Sequence, residues 1–236
     1  MPVIVDVPAG VEETLEAVFA YLSAVDVRFS TYKIESEISK INRGEILQGD
    51  YSDEMREIFA LAEQTKYETS GYFDIRRPDG RIDPSGVVKG WAILQAAKLL
   101  ESLGFEHYYV DVGGDIQTRG VDALGVPWTI GIRNPFKQHE LVKIVRPDGR
   151  GVATSGTYIR GQHIYNPHAP ETELTDVVSL TVVGPDILEA DRFATAAFAM
   201  GKEGIVFIEE LDGFEGYAID VGGTATMTSG FNQLTL

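Results

Sequence analysis

The sequence predicts an α+β fold built on antiparallel sheet, and three observations carry that reading. Helical and strand patterns mix along the chain without the strict strand–helix alternation of a doubly wound fold. The first half is dominated by helical spacing of apolar residues, the second by short β-branched runs broken by Gly and Asp. The 236 residues are 44% hydrophobic, contain no cysteine and show neither an internal repeat nor a low-complexity linker, so a single domain over 1–236 is expected.

The elements follow in order. Residues 2–7 read as a short strand. Val11, Leu15, Val18, Phe19, Leu22 and Val25 then recur at helical spacing through 11–29. A polar segment, Ser30 to Asn42, precedes Ser52, which caps a helix running to about Thr69 and stopped by Ser70-Gly71. Gly, Pro, Asp and Arg make 71–86 a loop. Beyond Ser85 a helix over 87–103 turns Val88, Trp91, Ala92, Leu99 and Leu103 inward and closes at Gly104.

HYYVDV (107–112) is a strand, followed by a Gly113-Gly114-Asp115 turn and by strands near 115–119, 127–133 and 140–146. Thr154-Ser155-Gly156 reads as a hydroxyl-rich turn after a strand, and VVSLTVV (177–183) as another strand. Asp186 and Glu189 form a capping-box-like start for a helix from Ile187 that ends at Gly201. A helix over 203–211 and strands at 215–221 and 223–228 complete the chain.

Net charge is −16 with no cysteine. That acidity argues against nucleic acid and anionic membrane surfaces as partners, and any phosphate ligand must be received locally. Without cysteine there is no disulfide, thiolate metal site or lipid-anchored cysteine. The N-terminus has no basic and apolar leader, and no apolar run reaches 18 residues, so no membrane insertion and a cytoplasmic location are expected for the chain as given.

The strongest chemical signal is ILEADRFATAAFAMGK (187–202). Asp191 and Thr195 lie four residues apart, on one face of a helix otherwise made mainly of small and apolar side chains. A carboxylate in such surroundings calls for a cation or a hydrogen-bond network. Two hard oxygens on one face suit Mg2+, and Mg2+ points to phosphate chemistry. In DPSGVVKG (83–90), Asp83 leads into a helix N-terminus whose free N–H groups attract phosphate, with Lys89 nearby and a Gly86 carbonyl available as a ligand. A solvated surface lysine at a plain helix start is the commoner meaning of that segment alone. His163, in the strand-like HIYNP, has the best context of the four histidines for a base. Tyr72-Phe73-Asp74 and Tyr32 offer loop aromatics able to flank a flat heterocycle, although core anchoring is their more frequent use.

Taken together, TYKIESEISKIN (31–42), ETSGYFDI (68–75), DPSGVVKGWAI (83–93), YVDVGGDIQTRG (109–120), ATSGTYIRGQHIYNP (153–167) and EADRFATAAFAMG (189–201) resemble the FAD:protein FMN transferases, the ApbE-type flavin transferases. The stretches fall in that family's order and span most of the chain. The resemblance implies the family's T-fold-like α+β architecture, FAD as substrate, Mg2+ as cofactor, and transfer of FMN to a Thr or Ser of an acceptor protein with release of AMP. It implies Asp191, Thr195 and the Gly86 carbonyl as metal ligands, and FAD contacts from Tyr32, Tyr72, Phe73, Asp74, Asp83, Lys89 and Ile164. His163 falls at the family's histidine, as base for the acceptor hydroxyl, with Asp191 as the other catalytic group.

Two departures stand out. The family commonly reads HI-x-D-P where this chain has Asn166, and its variable region before the KG motif is shortened here to Ile75–Ile82. A Mg2+-dependent FAD pyrophosphatase giving FMN and AMP, and a non-catalytic FAD-binding protein, are the alternative readings. The chain holds no acceptor motif of the Asp-x-x-(Ser/Thr)-Gly-Ala-Thr kind; GGTATMTSG (222–230) has the composition without the order. The acceptor is therefore expected to be another protein.

Overall fold

Alternation of side chains along the strands divides the interior of the computed structural model, which describes residues 1–236 apart from Ala9, Val11, Gln138 and 158–163. Seven strands form an antiparallel sheet: β1 (Val3–Asp6), β2 (Tyr108–Val112), β3 (Asp115–Arg119), β6 (Gly151–Gly156), β7 (Val177–Gly184), β8 (Glu215–Asp220) and β9 (Ala225–Met227), in that spatial order. A separate hairpin pairs β4 (Ile130–Arg133) with β5 (Leu141–Val145). Successive residues point to opposite faces, so Ala153, Leu180, Val182 and Ala218 join one core while Val152, Val183, Tyr217 and Ile219 join another.

The first core lies between the sheet and the helices α1 (Glu12–Phe29), α4 (Ser85–Ser102), α5 (Ile187–Ala199) and α6 (Gly204–Glu209). A second core joins α1, α4 and α5 to α2 (Glu37–Asn42) and α3 (Asp53–Glu68). α4 thus contributes Ile93 and Leu100 to one core and Val88 and Trp91 to the other, which explains why its apolar residues do not keep to one stripe. The third core packs the far sheet face against the β4–β5 hairpin and the 3-10 turn Phe231–Leu234.

Local signals account for most boundaries. Ser52 Oγ accepts the Met55 N–H at 3.2 Å to start α3. Asp186 Oδ1 accepts the Glu189 N–H at 3.0 Å to start α5; the Glu189 side chain, instead of closing the box, turns to Arg192. α4 begins at Ser85, two residues earlier than expected, and Gly104 with φ +89° follows its end. Leu103, expected on the inner side of α4, lies past its end and is half exposed, and two further features differ from the sequence reading. The polar 30–42 segment contains α2, capped by Ser36 and tied to the start of α3 because Glu37 accepts both the N–H and the Oγ–H of Ser52 at 2.7 Å. Thr154-Ser155-Gly156 is not a turn but the end of β6, paired with β7. Among the described residues no helix is long and apolar enough to cross a membrane.

Candidate functional site

α5 is buried on nearly every side, wedged between α4 and the sheet, and carries Asp191 and Thr195 into its contact with α4. The two helices run antiparallel, with Gly86 against Thr195 and Gly90 against Asp191. A Cβ at Gly90 would lie 2.8 Å from both Asp191 Cβ and the Ile187 carbonyl oxygen; one at Gly86 would lie 2.9 Å from Phe73 Cε2 and 3.3 Å from Thr195 Cγ2. Glycine spaced by four on α4 is what lets the acid and hydroxyl spaced by four on α5 come this close.

Asp191 is 3% exposed. Its Oδ2 accepts the Gly90 backbone N–H at 2.7 Å, and its Oδ1 lies 3.4 Å from Lys89 Nζ. In a regular helix the Gly90 N–H faces the Gly86 carbonyl. Asp191 draws on that donor, and the Gly86 oxygen keeps lone-pair capacity for another partner. Burial raises the Asp191 carboxyl above the usual carboxylate range; the Lys89 ammonium opposes the shift and the neighbouring Asp115 adds to it.

Lys89 also pairs with Asp115 Oδ2, and Asp115 is 1% exposed. Asp115 Oδ1 accepts the Thr154 N–H at 3.1 Å, while the Thr154 and Thr181 hydroxyls meet at 2.8 Å. Asp115 therefore links β3, β6 and the ammonium on α4. Asp115 opens β3, as the 115–119 strand reading expects, but Gly-Gly-Asp carries no sequence signal of the ion pair with Lys89.

Beside this pair opens a cleft of about 1040 Å³, counting the space at its solvent-facing mouth. Tyr72, Phe73, Asp74, Asp83, Gly86, Lys89, Ile164, Asp191 and Thr195 all line it. Nine of the anticipated positions are thus brought together. Tyr32 is not among the lining residues: it is 98% exposed on the loop after α1. His163 lies outside the described residues. Arg77 and Tyr165, which sequence reading missed, also line the cleft, as do Thr154 and Ser155 of the hydroxyl-rich segment, which the sequence reading assigns no role.

The cleft walls are held by specific contacts. Thr69 Oγ1 accepts the Phe73 N–H at 3.1 Å, and Lys66 Nζ pairs with Asp74 Oδ2 at 2.6 Å. Tyr165 Oη donates to the Arg76 carbonyl at 3.1 Å, and His168 Nε2 lies 3.0 Å from the Ser70 carbonyl oxygen with its ring edge-on to Tyr72. Asn166 Oδ1 accepts the His168 N–H at 2.9 Å. An aspartate would offer the same acceptor, so the departure at 166 alters charge and leaves the turn's bonding intact.

One carboxylate, one hydroxyl and one backbone carbonyl at the α4–α5 contact are hard oxygen donors. Among the described residues no group of three or more His, Cys, Asp or Glu is arranged to hold a metal. As hard oxygens, these donors fit a cation such as Mg2+ that keeps open positions for water or substrate phosphate.

Comparison with known proteins matches the chain to the ApbE family model over residues 1–77 and 75–218. A FAD:protein FMN transferase from Vibrio cholerae is 33% identical over 162 residues, covering 60% of this chain and 48% of that protein. The one from Escherichia coli K12 is 32% identical over 160 residues, covering 64% and 46%. This chain thus spans about half the length of these two relatives. One from Haemophilus influenzae is 24% identical over 295 residues, covering 97% and 85%. Among solved structures, a flavin transferase ApbE from Vibrio cholerae superposes with a TM-score of 0.82 at 24% identity, covering 96% of this chain and 91% of that one. An ApbE protein from Thermotoga maritima gives 0.85 at 20% identity, covering 99% and 95%. At these identities the structural likeness is one of fold.

Proposed function

The chain belongs to the ApbE family, and on that footing we propose that it transfers FMN from FAD to a Thr or Ser hydroxyl of an acceptor protein, in a Mg2+-dependent reaction that releases AMP. The observation that carries this reading is the α4–α5 contact, where glycines at 86 and 90 hold Thr195 and Asp191 against the floor of the cleft.

Asp191, Thr195 and the Gly86 carbonyl would hold the Mg2+, whose chemistry is to neutralise the diphosphate and draw electron density from the bond to AMP. Gly90 fixes the Asp191 carboxylate through Oδ2, while Oδ1 lies 3.4 Å from Lys89 Nζ. Lys89 supplies a positive charge next to two buried carboxylates, so the floor of the cleft does not repel an anionic substrate in full. Phe73 and Tyr72 provide apolar wall. His163 accepts the proton of the acceptor hydroxyl as its oxygen attacks the FMN-side phosphorus; the phosphorus–oxygen bond to AMP breaks and AMP leaves with the electron pair.

The test is mass spectrometry of a candidate acceptor incubated with the chain, FAD and Mg2+, alongside Asp191→Ala and an EDTA control. A covalent FMN adduct that needs both Mg2+ and Asp191 supports the proposal. Free FMN and AMP with no adduct would assign a pyrophosphatase instead. Undiminished transfer by Asp191→Ala would remove the metal assignment.

A further inference from the structure

We propose that Arg77 is a substrate-binding residue of this cleft that receives the anionic diphosphate of the dinucleotide, and so selects phosphate-bearing flavins over the bare ring system. This rests on the flavin reading above and adds to it a residue from the shortened 75–82 segment.

The argument is one of charge and preorganisation. A dinucleotide diphosphate brings two negative charges to a molecule of net charge −16, and Asp74, Asp83 and Asp191 also line the cleft. Among the described lining residues the cations are Lys89 and Arg77. Lys89 is engaged by both Asp115 and Asp191, and Asp74 is matched by Lys66 from outside the lining. Among the described residues Arg77 meets Asp83 through Nη1, at 3.3 Å. That is long for a charge-assisted bond, and one contact occupies little of a planar guanidinium with five donors suited to phosphate oxygens.

The backbone beneath Arg77 is fixed. The Arg77 N–H donates to the Arg81 carbonyl at 2.8 Å, and the Gly80 N–H donates back to the Arg77 carbonyl at 2.9 Å. Arg76 bridges Ile82 across the same turn. Asn42 of α2 clamps Ile82 from one side, accepting its N–H at 2.7 Å and donating to its carbonyl at 2.8 Å. Tyr165 holds the Arg76 carbonyl from the other. Arg77 therefore projects from a braced turn just upstream of the positive end of α4, and the two features present the same sign of charge to the cleft. A side chain 40% exposed, with one long ion pair among the described residues, has little part in holding the fold.

The experiment measures dissociation constants of the intact chain, Arg77→Ala and Arg77→Lys for FAD and for riboflavin, which lacks phosphate, in Mg2+ and in EDTA. Arg77→Ala is expected to weaken FAD by about tenfold or more while riboflavin stays within about twofold, and Arg77→Lys to fall between. Circular dichroism of each variant, matched to wild type, assigns the change to the site. FAD binding by Arg77→Ala within about twofold of wild type would overturn the proposal, as would an equal loss for FAD and riboflavin. If the unmodified chain binds no FAD under either condition, the flavin reading itself fails and this one with it.

Discussion

The Gly90 backbone N–H donates to Asp191 Oδ2 at 2.7 Å across 101 positions of sequence. The same two residues touch so closely that no side chain fits between them. Local helix propensity and tertiary contact conflict here. Alanine in place of a helical glycine would gain about 1 kcal/mol in an isolated helix. At position 90 its methyl would press on the Asp191 Cβ and the α5 backbone.

Gly90→Ala is therefore expected to destabilise the protein by about 1–3 kcal/mol, against the propensity scale. It should also weaken Mg2+ binding, because α4 must move off Asp191. Urea titration and Mg2+ titration by calorimetry check the two halves. A variant more stable than wild type would show that the contact is slack.

Asp191→Asn keeps an acceptor for the Gly90 N–H and removes a buried charge beside Asp115. Stability in EDTA is expected to change by less than about 1.5 kcal/mol, or to rise, while Mg2+ affinity is lost. Thermal melts with and without Mg2+ read this directly: the metal should raise the midpoint of wild type and leave the variant's unmoved.

Lys89→Met strips the ammonium from between two carboxylates that are nearly fully buried. Removing one partner of a buried ionic cluster costs about 3–5 kcal/mol. Denaturant unfolding of Lys89→Met should fall in that range, and a loss below about 1 kcal/mol would mean that the carboxylates find other compensation.

Arg192, buried on α5, is held by Glu189 and by Glu68 from the end of α3. Burial alone would raise the Glu68 carboxyl, but hydrogen bonds from Gln64 and Arg192 outweigh it and hold the group below its ordinary value. A depressed carboxylate contributes stability above its unfolded pKa and loses it as pH falls through the folded one. Glu68→Gln is expected to lower stability at pH 7 by about 1–2 kcal/mol. The gap from wild type should close once pH drops below the ordinary glutamate range, as followed by thermal melts at several pH values.

Asn166→Asp preserves the acceptor for the His168 N–H. Its unfolding free energy should stay within about 0.5 kcal/mol of wild type at pH 7, measured by urea titration. A larger loss would show that the side-chain amide, and not the oxygen alone, is in use.

Much of this was legible in sequence because it is locally encoded. The caps at Ser52 and Asp186 and the i, i+4 pair on α5 are short-range patterns that survive into the structure. α2 carries no periodic signal, because six residues are too few for one; its order comes from Glu37 on Ser52 and Asn42 on Ile82. Thr154 belongs to a strand and not to a turn, and its partnership with Asp115 is equally non-local. Their meeting depends on β3 lying beside β6, with Ile116 opposite Val152, across an intervening hairpin that no local spacing announces. Arg77 was hidden by composition, since an Arg-rich turn reads as solvated surface until the cleft beside it is seen.

The cleft lining is gathered from positions 72 to 195, and its floor needs α5 seated on α4 and β3 registered on β6. Contacts this far apart along the chain close late, after long loops have given up their freedom. During refolding, far-ultraviolet ellipticity should recover ahead of the capacity to capture a nucleotide. Substrate affinity would then be a reporter of completed folding, and the last property lost by a kinetically trapped population when it escapes to the native state would be its blindness to ligand.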